Sequence, residues 1–184
     1  MDSIRIPEHF TDSLSFTADW QFVNSYAQTK QTQALVACPS SIEECMELIE
    51  FSKKNDMTIC PRGGGYTWSD MILNNGHILL DLMSMNEIIN FDQESGQIVV
   101  QPGVRFGDIF RRVLPYNWTL QACPGGVGVS IGGAISNNVH GKDSWVAGNF
   151  GDQVIRMKLL LSSGELIEAD LKNNQKKLNH LTYN

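Results

Sequence analysis

Pro124-Gly125-Gly126-Val127-Gly128-Val129-Ser130-Ile131-Gly132-Gly133-Ala134-Ile135-Ser136-Asn137-Asn138-Val139-His140-Gly141-Lys142 packs six glycines into nineteen positions and ends in a polar Asn-Asn-Val-His-Gly-Lys cluster. Glycine at that density is costly in chain entropy, so the stretch marks backbone that bends sharply or presses against a ligand. A second cluster, Arg62-Gly63-Gly64-Gly65-Tyr66-Thr67-Trp68-Ser69, lies upstream. Its main-chain N–H groups suit phosphate oxygens, which makes the two segments candidate halves of one cofactor cradle.

Two simpler nucleotide motifs fail. The dinucleotide fingerprint GxGxxG needs a third glycine where Trp68 stands in the first cluster and Ile131 in the second. Gly141-Lys142 is followed by Asp143 and has no glycine five positions before Gly141, so it is not a phosphate-binding P-loop.

The chain has 184 residues, enough for one substantial core, with 42% hydrophobic and 18% charged residues. A net charge of −6 argues against a nucleic-acid surface, which demands a basic face. Met1 to Pro7 shows no basic segment leading into an apolar one, and no apolar run reaches the ~18 residues of a transmembrane helix. A cytoplasmic protein is the expectation. Cys38, Cys45, Cys60 and Cys123 form no CxxC pair, so no metal site is expected and the thiols should be reduced and mostly buried.

Residues 1–33 show no sustained period and read as an irregular lead-in. A strand is predicted over 34–38, with Ser40 or Ser41 capping a helix over 42–54 whose Ile42, Cys45, Met46 and Ile49 form an apolar stripe. Strands follow at 57–60 and 77–82. Strands at 87–91 and 97–101 flank a turn at 93–96 and form a hairpin. A helix over 105–114 has Phe106, Ile109, Phe110 and Val113 on one face, and two further strands lie at 154–161 and 165–168. The composition of elements is α+β.

The two glycine clusters together resemble the FAD-binding domain of the FAD-linked oxidase superfamily of vanillyl-alcohol oxidase and p-cresol methylhydroxylase (PCMH-type), from about Ala34 to Glu168. His140-Gly141-Lys142 through Ala147-Gly148-Asn149-Phe150-Gly151 is most similar to the decaprenylphosphoryl-ribose oxidase group. The resemblance implies two small α/β subdomains enclosing FAD, with the domain at 34–170, a polar tail at 171–184 and the superfamily's cap domain, which supplies most substrate contacts, missing. It also implies site residues. Arg62, Gly63, Gly64, Gly65, Tyr66, Thr67 and Ser69 would serve the pyrophosphate. Pro124, Gly125, Gly126, Ser130, Ile131, Gly132, Gly133, Ala134, Ser136 and Asn137 would pass under pyrophosphate and ribityl chain, with Gly125, Gly126, Ser130, Gly132, Gly133 and Ala134 small because a ligand or the first loop lies against them and Ser130, Ser136 and Asn137 as candidate donors. His140, Gly141 and Lys142 would approach the flavin ring, and Gly151, Asp152, Val154 and Ile155 would border the adenine. His140 and Lys142 are the catalytic candidates, Lys142 because a cation near flavin N1 raises the ring's electron affinity. Each has a plainer reading: His140 as a structural histidine, Lys142 as a surface lysine, Val154 as strand core.

One departure is informative. Many superfamily members carry His where this chain has Tyr66 and attach the flavin through that imidazole, so a phenol there implies dissociable FAD. The implied activity is oxidation of a hydroxyl on a sugar or related alcohol, hydride passing to flavin N5. Two alternatives stay open: a non-catalytic or degenerate flavin- or nucleotide-binding fragment, and an NADPH-dependent flavoenzyme of the UDP-sugar enolpyruvate reductase type. Without a cap the apolar crevice would be exposed, so self-association into a homo-oligomer is expected.

Overall fold

The computed structural model describes residues 10–170, which divide into two units: residues 10–84 with 162–164, and residues 85–161 with 165–170. The predicted polar tail at 171–184 and the start of the lead-in, residues 1–9, lie outside the described residues.

The first unit is a sheet with a helix on one face. Its strands are β1 (Ala18–Asn24), β2 (Gln31–Ala37), β3 (Ile59–Arg62) and β4 (Ile78–Asp81), in spatial order β1-β2-β4-β3. β2, β4 and β3 are mutually parallel, whereas β1 is antiparallel to β2. A strand inside a parallel sheet is covered on both faces, and β2 accordingly buries Ala34, Leu35, Val36 and Ala37 in succession. Helix α1 (Ile42–Lys54) has the predicted ends. The Glu44 N–H donates to the Ser41 hydroxyl at 3.1 Å, and Glu43 and Glu44 at the start with Lys53 and Lys54 at the end complement the helix dipole. Its buried face packs Leu48 and Phe51 onto Leu35, Ala37 and Ile78.

The irregular reading of the lead-in is corrected at residues 18–24, which form β1. Its period was hidden because an edge strand need bury only part of one face. Ala18 and Trp20 pack into the α1-side core, while Phe22, next on that face, stands 65% exposed.

In the second unit β5 (Ile88–Phe91) and β6 (Ile98–Val100) form the predicted antiparallel hairpin. Gly96 closes its turn at φ +71°, and an added Cβ there would lie 2.6 Å from the Trp118 ring. Helix α2 (Phe106–Val113) buries Phe106, Ile109 and Val113. These three pack with Phe91, Val104, Ala122, Ile131, Ala134 and Phe150 as one core, and β7 (Arg156–Leu160) pairs antiparallel with β8 (Leu166–Asp170). Two short helices carry no signal in the sequence pattern, α3 (Ile131–Ser136) within the glycine run and α4 (Ser144–Ala147) after it.

Candidate functional site

In the first unit β3 delivers the chain straight into the Arg62–Ser69 loop. Gly65 turns it at φ +76°, and the Arg62 guanidinium curls over that turn, 2.9 Å from where a Cβ would sit. The N–H groups of Gly65, Tyr66 and Thr67 find no acceptor among the described residues. Consecutive unpartnered donors beside a guanidinium are groups of the kind from which anion sites are built. Arg62, Gly64, Gly65 and Tyr66 line a cleft of about 550 Å³ together with Tyr26, Gln21, Asn24 and Asp81. Sequence reading missed Tyr26. Its ring lies 5.2 Å from that of Tyr66 and meets Trp68 edge-on at 5.1 Å. Only recognition of β1 and its turn would have placed Tyr26 beside the glycine loop. Ser69 is exposed at the loop's far end.

In the second unit the glycine run does several jobs. Gly125 has no heavy atom within 4 Å of its Cβ position, so its face is open to a ligand. Gly132 is small for a different reason, since a Cβ there would meet Pro102 Cβ at 2.8 Å. The nearest neighbour of a Cβ on Gly133 would be the Ser130 hydroxyl, at 3.2 Å. At these two positions the close neighbours belong to the second unit itself. The first N–H groups of α3 are also engaged: Ile131 donates to Val104 O and Gly132 to Pro102 O, both at 2.8 Å. Ala134 and Ser130 are buried, while the Ser136 hydroxyl donates to Gly132 O at 2.8 Å and the Asn137 amide to Gly133 O at 2.9 Å. Among the donors in this run that lack an acceptor among the described residues are the consecutive N–H groups of Gly125, Gly126 and Val127, which follow Pro124.

His140 and Lys142 are both exposed, on either side of Gly141. Gly141 fits because a Cβ there would lie 2.6 Å from the Cys123 N and O. Both carboxylate oxygens of Asp143 accept from the buried Ala122 N–H at 3.1 Å, and the Asn138 side-chain oxygen accepts from the Gly151 N–H at 3.0 Å. Asp152 accepts from the Asn149 N–H at 2.8 Å, Val154 is half-buried and Ile155 is exposed.

The cysteines are free thiols, but only Cys45 is buried; Cys38, Cys60 and Cys123 are half-buried. Burial still raises all four. Cys45 and Cys123 are pushed up to about 11, with the Asp143 carboxylate adding to the effect at Cys123. A neutral thiol is a weaker nucleophile than a thiolate.

A family model described as an FAD binding domain matches residues 33–170. The decaprenylphosphoryl-beta-D-ribose oxidase of Mycolicibacterium smegmatis is 29% identical over 142 residues, covering 77% of this chain and 31% of that protein. Glycolate oxidase subunit GlcD of Bacillus subtilis is 30% identical over 168 residues, covering 89% of this chain and 35% of that protein. The chain thus spans about a third of the length of these curated relatives. Among solved structures, Physcomitrella patens BBE-like 1 superposes with a TM-score of 0.82 at 16% identity, over 95% of this chain and 40% of that one. That likeness establishes the fold. The family match over most of the chain shows that it belongs to the FAD-binding domain family of PCMH-type FAD-linked oxidases.

Proposed function

We propose that this chain is the flavin-holding part of an enzyme that oxidises a hydroxyl group of a sugar or related alcohol, and that its FAD is dissociable. Bound FAD would supply the two-electron oxidation, taking hydride at N5 from the carbinol carbon. The residues of the chain would bind and orient. In the first unit the N–H groups of Gly65, Tyr66 and Thr67, with Arg62, would hold the diphosphate; in the second unit the open face of Gly125 would take a ligand, and His140 and Lys142 would present polar groups to the ring. The observation that carries the reading is the run of three unpartnered N–H groups after β3. The substrate class is supported by relatives named for oxidising a ribose derivative and glycolate. Tyr66 supports dissociable cofactor, because a phenol stands where the superfamily uses an imidazole for attachment. Self-association is part of the proposal, with Phe22, Trp68 and Trp145 exposed by 65%, 75% and 87%.

The test is the visible spectrum of the purified chain with and without added FAD, followed by acid precipitation. Flavin bands that move to the supernatant support the reading. Colour kept in the pellet overturns dissociable FAD, and failure to bind at saturating FAD overturns the cofactor role of this chain.

A further inference from the structure

The turn that carries His140 and Lys142 is tied down on both sides by side chains that neither flavin nor substrate need touch. On the C-terminal side Asp143 spreads both oxygens over the Ala122 N–H, each at 3.1 Å. Ala122 is fully buried and holds φ +50°, a left-handed backbone that a residue with a Cβ adopts only under constraint. Gly141 lies flush on the same strap, and its N–H donates to the Ser144 hydroxyl at 2.8 Å. On the N-terminal side Asn138, also left-handed at φ +41°, accepts from Gly151, and the Phe150 N–H donates to Val139 O at 2.9 Å.

We propose that Asp143 is a positioning residue for the flavin site: its carboxylate holds the His140–Lys142 turn on the Gln121–Pro124 strap, with Asn138 as the matching tie on the other side. This rests on the reading that the turn borders the flavin. The physical case is geometric. Both faces of an exposed turn would otherwise fluctuate, and a side chain offered to a ring must be fixed by what lies behind it. The two ties fasten the turn to separate stretches of chain, 121–123 and 149–151, so neither substitutes for the other. Asparagine at 143 keeps an acceptor oxygen in place, whereas alanine removes it and leaves a buried donor unsatisfied.

The experiment compares Asp143→Ala, Asp143→Asn and Asn138→Gly in the full chain. It reads amide exchange at Ala122 and Gly151 without cofactor, then FAD affinity and the shape of the bound-flavin spectrum. Asp143→Ala should speed Ala122 exchange and weaken FAD about tenfold, with an altered spectrum, while Asp143→Asn restores both to within about twofold. Asn138→Gly, which keeps the backbone conformation, should speed Gly151 exchange and weaken FAD about fivefold. Should Asp143→Ala fail to fold, the other two variants decide the matter. Wild-type FAD affinity in Asp143→Ala or in Asn138→Gly overturns the proposal. Equal weakening by Asp143→Ala and Asp143→Asn also overturns it, because charge and not placement would then be at work. If the wild-type chain binds no FAD, the functional reading fails, and unchanged Ala122 exchange in Asp143→Ala then sinks the tie as well.

Discussion

Gly141→Ala places a methyl carbon 2.6 Å from both the N and the O of Cys123 and 2.7 Å from the carbonyl carbon of Ala122. These neighbours are main chain and cannot rotate away. Carbon contacts are comfortable at about 3.5–4.0 Å, so the 121–123 strap must retreat by about 1 Å. Overpacking of this kind costs about 1–3 kcal/mol. The same retreat draws the Ala122 N–H off Asp143 and leaves a buried donor unpaired, a further loss of about 1–3 kcal/mol. The expected destabilisation is therefore about 2–6 kcal/mol, a large share of the roughly 5–15 kcal/mol that holds a domain together. With a urea slope of about 2 kcal/mol/M, the unfolding midpoint should fall by about 1–3 M. The assay is urea unfolding followed by tryptophan fluorescence, without added FAD. Gly125→Ala is the control, because nothing lies within 4 Å of its Cβ position. It should unfold like the wild type, yet bind FAD more weakly if flavin presses on that face. A Gly141→Ala midpoint within about 0.3 M of the control would refute the packing argument.

Gly96→Ala meets both a left-handed backbone and the Trp118 ring, whose indole N–H is held by Gln93 O at 2.8 Å. It should cost about 1–3 kcal/mol and shift the Trp118 near-ultraviolet dichroism. Phe106→Ala empties the middle of the second-unit core, where Phe106 is 1% exposed, and should cost about 3–5 kcal/mol by urea unfolding. The Cys45 and Cys123 thiols are raised from 9.0 to about 11. The folded chain holds those protons more tightly than the unfolded one, so their contribution is complete below about pH 9 and is lost as pH rises through about 11. Urea midpoints should fall across that window, and a Cys45→Ala, Cys123→Ala double variant should fall less. Light scattering tests self-association, and a strict monomer at high concentration would count against it.

Much of the fold is legible in the sequence because its elements obey single rules. Helix α1 has a serine cap, an acidic start, a basic end and an apolar stripe, and its ends agree with the pattern. The β5–β6 hairpin announces itself through Ser95-Gly96 between two apolar runs. Helix α3 was hidden because Ile-Gly-Gly-Ala-Ile-Ser lacks local helix propensity, two glycines each costing about 1 kcal/mol. Tertiary contacts form it instead: Pro102 O receives Gly132 N–H, and Gly132 can approach Pro102 only without a Cβ. The site was legible in the same uneven way. Glycine density located both loops, but it could not separate Gly125, which faces open space, from Gly132 and Gly141, which face their own chain. The partners of the loops, Tyr26 and Asp143, carry no motif and are found only by folding the chain.

The left-handed conformation at Ala122 has an evolutionary side. A side chain in that region costs about 1–2 kcal/mol, and glycine would adopt it freely. Ala122→Gly would remove that strain but also a methyl that is fully buried in the second-unit core, worth about 0.8 kcal/mol, and it would add freedom to the unfolded chain. Selection for heat resistance therefore has little to gain at this position, and the strap beneath the His140–Lys142 turn can keep a strained alanine at almost no net loss of hardiness.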